Sequence, residues 1–204
     1  MSAERPARPP APGRGVDSVV VMYVGNLEPY QGIDLLLQSF ARVLARTDRA
    51  DLVIVGGAPA DIEAYRAESG RLGIAARVHL PGPRPIRELG AVLGSADVLA
   101  SPRLRGDNTP MKLYSYLHSG KALVATDLPT HTQLVDDTVA LLAAPTPEAF
   151  GEALLRVIVD PALRARLGDA GRRLAAEHFT YRAFRERLNG LLDWLERRTP
   201  PVSA

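Results

Sequence analysis

The amino-acid sequence predicts an α/β domain: a doubly wound parallel sheet of about six strands with a helical C-terminal extension. Three observations carry this expectation. Short apolar runs alternate with segments of helical period at least five times from Ser18 onward. The runs are apolar on both faces, as strands buried between two helical layers must be. Beyond the sixth run the chain reads wholly as helix.

In chain order the expected strands are Val19 to Val24, Leu52 to Val55, Val78 to Leu80, Val98 to Ala100, Ala122 to Ala125 and Val139 to Leu142. The first crossover helix follows Gly32, where Ile33, Leu37, Phe40 and Leu44 form one apolar stripe at helical spacing. Residues 60–72, 85–94 and 110–119 supply three more, the last opening with Pro110 in its first turn and closing at Gly120. Helices are then expected at 147–158, 161–177 and 181–197, the final one striped by Phe184, Leu188, Leu191 and Leu195. Residues 1–17 carry Pro6, Pro9, Pro10 and Pro12 among arginines, bury too little apolar surface to offset ordering, and read as a flexible arm. The folded domain is expected over 18–198, with 199–204 as a tail.

A chain of 204 residues, 46% apolar and 24% charged, has the composition of one well-filled globular domain. No apolar run approaches the roughly 18 residues that a membrane-crossing helix needs. An apolar N-terminal stretch of the secretory kind is also missing. Cysteine is absent, which excludes disulfides, thiolate chemistry and cysteine-based zinc sites, and which is compatible with a reducing, cytoplasmic setting. The formal charge of +2 hides an uneven distribution: residues 18–163 hold 13 basic and 16 acidic side chains, whereas from 164 onward nine arginines face five carboxylates. A slightly acidic body with a basic end lacks the broad positive stripe of a nucleic-acid binder, so no nucleic-acid partner is expected. The terminal arginines leave open a peripheral contact with an anionic membrane.

If the strands are wound 3-2-1-4-5-6, the switch point lies between strands 1 and 4, and a ligand binds beyond their carboxyl ends. The loops there are Gly25 to Gly32 and Ser101 to Pro110. The second places Arg103, Arg105, Asp107, Asn108 and Thr109 before Pro110 and Lys112, so that two arginines and a lysine meet a helix N-terminus already suited to an anion. The alternative is a helix capped by Asn108 or Thr109 with solvated arginines. Gly25 to Gly32 lacks the G-x-G-x-x-G spacing of a dinucleotide fingerprint and the lysine of a P-loop. Gly56 and Gly57 read as a tight turn. Of the four histidines, His79 reads as a strand-edge residue, His118 and His178 fall late in helices, and His131 could face the cleft. None are paired closely enough for a metal, and there is no Asp-x-Asp, so neither metal nor cofactor is expected.

From about Ser18 to Arg197 the sequence resembles the donor-binding, C-terminal half of glycosyltransferase family 4, the group 1 transferases of GT-B architecture. The matching blocks are Tyr23-Val24-Gly25-Asn26, Gln31 to Leu36, Leu52 to Gly57, Val78 to Gly82, Ala96-Asp97-Val98, and Pro110 to Leu117 into Gly120 to Thr126. The resemblance implies one Rossmann-like half of that fold, binding a nucleoside-diphosphate sugar for transfer to an acceptor. By resemblance, Gly25, Asn26, Gln31 and Gly32 flank the diphosphate. The family's arginine and lysine there are replaced by Asn26 and Gln31, and Arg103, Arg105 and Lys112 are the compensating cations. The family's paired glutamates fall on Asp107, implied at the donor sugar hydroxyls and hence the one catalytic position, and on Ser115, implied at the ribose. The loop Pro81 to Pro85, including Arg84, is implied to lie against the base. A complete family member also has an acceptor-binding domain of comparable size, so this chain alone is expected to need one, as a partner chain or as part of a longer enzyme. The nucleotide-sugar is the substrate, with no metal required. Two further readings stay open at this point: a non-catalytic interaction protein on the same fold, motivated by Asn26, Gln31 and Ser115, and another sugar-nucleotide enzyme such as an epimerase.

Overall fold

A computed structural model describes residues 18–198, so the arm and the tail expected from the sequence lie outside the described residues. The strands are β1 (Val19–Val24), β2 (Ala50–Val55), β3 (Val78–Gly82), β4 (Val98–Ser101), β5 (Ala122–Thr126) and β6 (Ala140–Ala143). The helices are α1 (Ile33–Leu44), α2 (Pro59–Arg71), α3 (Leu89–Gly94), α4 (Lys112–Ser119), α5 (Pro129–Thr132), α6 (Pro147–Val159), α7 (Pro161–His178) and α8 (Tyr181–Arg198). All strand pairs are parallel and the order is β3-β2-β1-β4-β5-β6, the winding expected from the sequence.

Strand periodicity divides the core into two layers. Val19, Val21 and Tyr23 of β1 face one way, onto Ile33, Leu36 and Phe40 of α1 and Phe150 and Leu154 of α6. Val20 and Met22 face the other, onto Leu113 and Leu117 of α4 and Ala175 of α7. Asp97 joins β4 to β1 at its start: its carboxylate accepts from the Val20 amide at 2.8 Å, and its own amide donates to the Val20 carbonyl at 2.9 Å. His79 lies on the edge strand β3, as expected, where Nε2 approaches Asp51 Oδ1 at 3.4 Å. Asp51 is a buried carboxylate on β2 that also accepts from the Ser18 hydroxyl.

Four local expectations are corrected. Residues 85–94 do not form one helix: Pro85 leads into a 3-10 turn over Ile86–Glu88, and only then does α3 begin. The helix expected from Pro110 starts at Lys112, because the Leu113 and Tyr114 amides turn back to the Pro110 and Met111 carbonyls at 3.0 and 3.3 Å. The one-turn α5 is additional, and β6 begins one residue later than read. Beyond these, helix α8 leaves its stripe largely exposed: Phe184 is 58% exposed and Leu191 53%, while Ala183 is its one buried residue.

Candidate functional site

The carboxyl ends of β1 and β4 carry the loops that the sequence singled out, and the backbone there is closely packed. Gly32 adopts φ +75°, and a Cβ on it would lie 2.0 Å from the Pro102 carbonyl oxygen, so the two switch-point loops meet only because residue 32 is glycine. The Leu104 amide donates to the Tyr30 carbonyl at 2.9 Å, a second tie between the same loops.

Lys112, the first residue of α4, reaches back over the end of β1. Its Nζ donates to the Tyr23 hydroxyl at 2.7 Å and to Gln31 Oε1 at 2.8 Å, and lies 4.0 Å from the Tyr23 ring centroid. The Tyr23 hydroxyl in turn donates to the Asn26 carbonyl at 2.6 Å. No carboxylate among the described residues pairs with Lys112. Burial, with the Arg103 charge second, brings its pKa down to about 7. Burial likewise pushes the Tyr23 and Tyr116 phenols above the ordinary tyrosine range. A Cβ on Gly25 would stand 2.9 Å from Lys112 Nζ, so the amine adjoins bare backbone.

Arg103 does not reach for an external anion. It is buried, and its guanidinium closes the loop on itself: Nε donates to the Arg105 carbonyl at 2.8 Å, Nη1 to the Asn108 carbonyl at 2.9 Å and Nη2 to Asn108 Oδ1 at 2.9 Å. Asn108 is therefore occupied by Arg103, and Thr109 accepts from the Gln133 amide, so neither caps α4. The Arg105 and Asp107 side chains are exposed on the closed loop, and Pro110 is buried behind it. The Asn26 side chain points to solvent while its carbonyl is held by Tyr23.

Beneath the loop lies a network that the sequence did not disclose. His131 on α5, which from the sequence could face the cleft, is instead fully buried. Its Nδ1–H donates to the Thr126 carbonyl at 2.8 Å, which leaves Nε2 to accept from the Ser101 hydroxyl at 2.9 Å. The Thr126 hydroxyl donates to the Arg103 carbonyl at 2.6 Å. Burial first, then the Arg103 and Lys112 charges, lower the His131 pKa to about 4, so the ring is neutral at pH 7. Tyr116 is the other residue missed: its hydroxyl accepts from the Val24 amide at 2.8 Å and returns its proton to the Val24 carbonyl at 3.3 Å.

Two cavities adjoin this cluster and share Leu89 in their walls. A slot of about 180 Å³ lies between Gly25 and Gly56 on one side and Pro83 to Ile86 on the other, and among the described residues Arg84 is the only polar side chain lining it. A larger cleft of about 950 Å³ runs between α3, α4 and the start of α8 and includes Ser115. Gly25 and Arg84 thus share one cavity, Gly25, Gln31 and Lys112 meet at the switch point, and Ser115 lies in the adjoining cleft. Among the described residues no group of three or more histidines and carboxylates is placed to hold a metal ion.

The chain belongs to the glycosyl transferases group 1 family, whose model matches residues 18–160. It is 32% identical over 181 residues to D-inositol 3-phosphate glycosyltransferase of Corynebacterium diphtheriae, covering 84% of this chain and 42% of that protein. The chain therefore spans less than half the length of that curated relative. Its fold is similar to HepE of Anabaena, solved with UDP and glucose, with a TM-score of 0.77 and 18% identity over 87% of this chain and 48% of the other. It also resembles the C-terminal domain of the group 1 family protein LpcC from Francisella tularensis, with a TM-score of 0.71 and 16% identity over 80% of this chain and 87% of that one.

Proposed function

We propose that this chain is the donor-binding half of a glycosyltransferase, which holds a nucleoside-diphosphate sugar for transfer to an acceptor carried by a second domain or partner chain. The observation that carries the reading is Lys112: an amine at the switch point, beside Gly25, with neutral partners and no counter-ion among the described residues. A diphosphate supplies the missing negative charge, and charge-assisted contacts are the strong ones. Lys112 reaches the Gln31 side chain directly, so it delivers a cation to the place where the family resemblance locates a lysine. The slot beside Gly25 is walled by prolines and apolar side chains and suits a flat base, with Arg84 at its rim. Ser115 in the adjoining cleft is assigned to the ribose, and Asp107, on the loop that Arg103 closes, to the donor sugar hydroxyls.

In this reading the half contributes positioning and electrostatics. Lys112 and the exposed Arg105 stabilise negative charge that grows on the departing diphosphate as the sugar bond breaks. No step is assigned to a metal. A cytoplasmic setting belongs to the same proposal and is in keeping with the cysteine-free sequence. Titration calorimetry with UDP, GDP and ADP tests it: one of the three is expected to bind, and heats indistinguishable from dilution for all of them at millimolar concentration overturn it.

A further inference from the structure

The chain holds only two lysines, Lys112 and Lys121, among its 25 basic residues. At Lys112 the donors can be counted. The Tyr23 hydroxyl gives its single proton to the Asn26 carbonyl at 2.6 Å, so its oxygen must accept from Nζ at 2.7 Å; Gln31 Oε1 is the second acceptor, at 2.8 Å. A neutral amine has two N–H groups and one lone pair, and these two acceptors satisfy it. An ammonium has three donors, and among the described residues no third acceptor faces it.

The surrounding charges agree. The titratable groups that face Lys112 are Tyr23 from β1, Arg103 from the loop between β4 and α4, and His131 from α5; the first is neutral, the second positive and the third a buried neutral ring. Apart from the face of the Tyr23 ring, none of them stabilises an ammonium, and the Arg103 charge opposes one.

We propose that Lys112 rests as a neutral amine in the empty site and takes one proton from solvent as the donor's diphosphate enters, so that anion capture is proton-coupled. The nitrogen lone pair binds the incoming proton, the amine becomes an ammonium, and its third N–H goes to a phosphate oxygen. The inference rests on the donor-site reading above. A pKa of about 7 in the empty site is in keeping with it, and a phosphate oxygen alongside raises that value again. Above about pH 7, affinity then falls by up to about tenfold per pH unit, because each binding event must draw a proton from a scarcer supply.

Two readouts on the intact chain test this. With lysine labelled at 13Cε, only two side-chain signals are observed, and Lys121→Arg assigns them. The Lys112 signal is expected to titrate near neutrality without nucleotide, and to move to its ammonium position when UDP or GDP is added at about pH 8. There the terminal phosphate, with a pKa of about 6, is fully ionised and exchanges no proton. Calorimetry at the same pH in HEPES and in Tris should show uptake of close to one proton per nucleotide bound. Nucleotide binding with buffer-independent heat, or a Lys112 signal that stays ammonium from about pH 6 to pH 9 in the empty protein, overturns the proton coupling and leaves the donor site standing. Failure of UDP and GDP to bind overturns the donor site and the coupling with it.

Discussion

The Tyr116 hydroxyl spans both backbone groups of Val24, accepting from its amide at 2.8 Å and donating to its carbonyl at 3.3 Å. The last residue of β1 thereby completes its hydrogen bonding through α4, ninety-two positions away in the chain. Strand end and helix are locked together where Lys112 must meet Gln31. Tyr116→Phe leaves a partly buried amide without its partner, and a loss of about 1–3 kcal/mol in urea unfolding is expected. Weaker nucleotide binding should accompany it. Unchanged unfolding midpoints would show that the tie does not hold the strand.

Lys112 also makes the stability of the empty domain depend on pH, with a sign that can be worked out. Its folded pKa of about 7 lies below the ordinary lysine value of 10.5. Below about pH 7 both states carry the proton and the full penalty of confining it is present. Between there and the unfolded value the unfolded chain binds more protons, so stability rises with pH. Lys112→Met removes this linkage. Unfolding of the two proteins at about pH 6 and about pH 9 should show the variant's relative advantage shrinking as pH rises; a pH-independent gap contradicts it. The same variant is expected to lose nucleotide affinity.

His131 adds a second limb of the same sign at acid pH. Its folded pKa of about 4 lies below the ordinary 6.5, so between those values the unfolded state binds more protons, and stability drains away as pH falls from about 6.5 to about 4. His131→Ala should cost about 1–3 kcal/mol at neutral pH by stranding the buried Ser101 hydroxyl. Its stability profile should be flatter than the native one over that acid interval, as read by fluorescence-monitored unfolding. An equally steep profile in the variant would assign the acid sensitivity elsewhere.

Arg103 is expected to act on the ligand through the loop it closes. In Arg103→Ala, the Arg105 and Asn108 carbonyls and Asn108 Oδ1 lose their donor. Hydrogen exchange of the amides over 104–109 should accelerate and nucleotide affinity should fall, while the sheet amides keep their protection. Fast exchange already present in the native loop would remove this positioning role. Gly106→Ala is expected to reproduce the effect, because the new Cβ would lie 2.0 Å from Arg103 Nη2.

Apolar residues of α1 and α8 should behave differently although both helices are striped. Phe40 is fully buried, and Phe40→Ala should cost about 3–5 kcal/mol. Leu191 is 53% exposed, and Leu191→Ser should stay within about 0.5 kcal/mol. Comparable losses at the two positions would mean that α8 packs on the body in solution.

These contrasts also explain what the sequence could disclose. The strands β1 to β6 were legible because burial on both faces demands unbroken apolar runs, and the winding order followed from the crossovers between them. The position of the site came with that order. Its internal chemistry did not: Lys112 meets Gln31 across eighty-one positions, and His131 meets Ser101 across thirty, separations at which no local period exists. Helix α5 escaped because four residues are too few to show a period of 3.6. Arg103 was read as a ligand for an anion because composition marks a cation without saying whether neighbouring carbonyls already occupy it. The α8 stripe shows the reverse case, a clear period whose Phe184 and Leu191 stay more than half exposed.

The most direct measurement is a crystal structure grown with saturating UDP or GDP. The phosphates are expected between Gly25 and the Lys112 amine, with the base in the slot under Pro83 to Ile86 and the ribose toward Ser115. Nucleotide bound elsewhere, or a slot filled by the protein's own side chains in the presence of ligand, would contradict a donor site at this switch point.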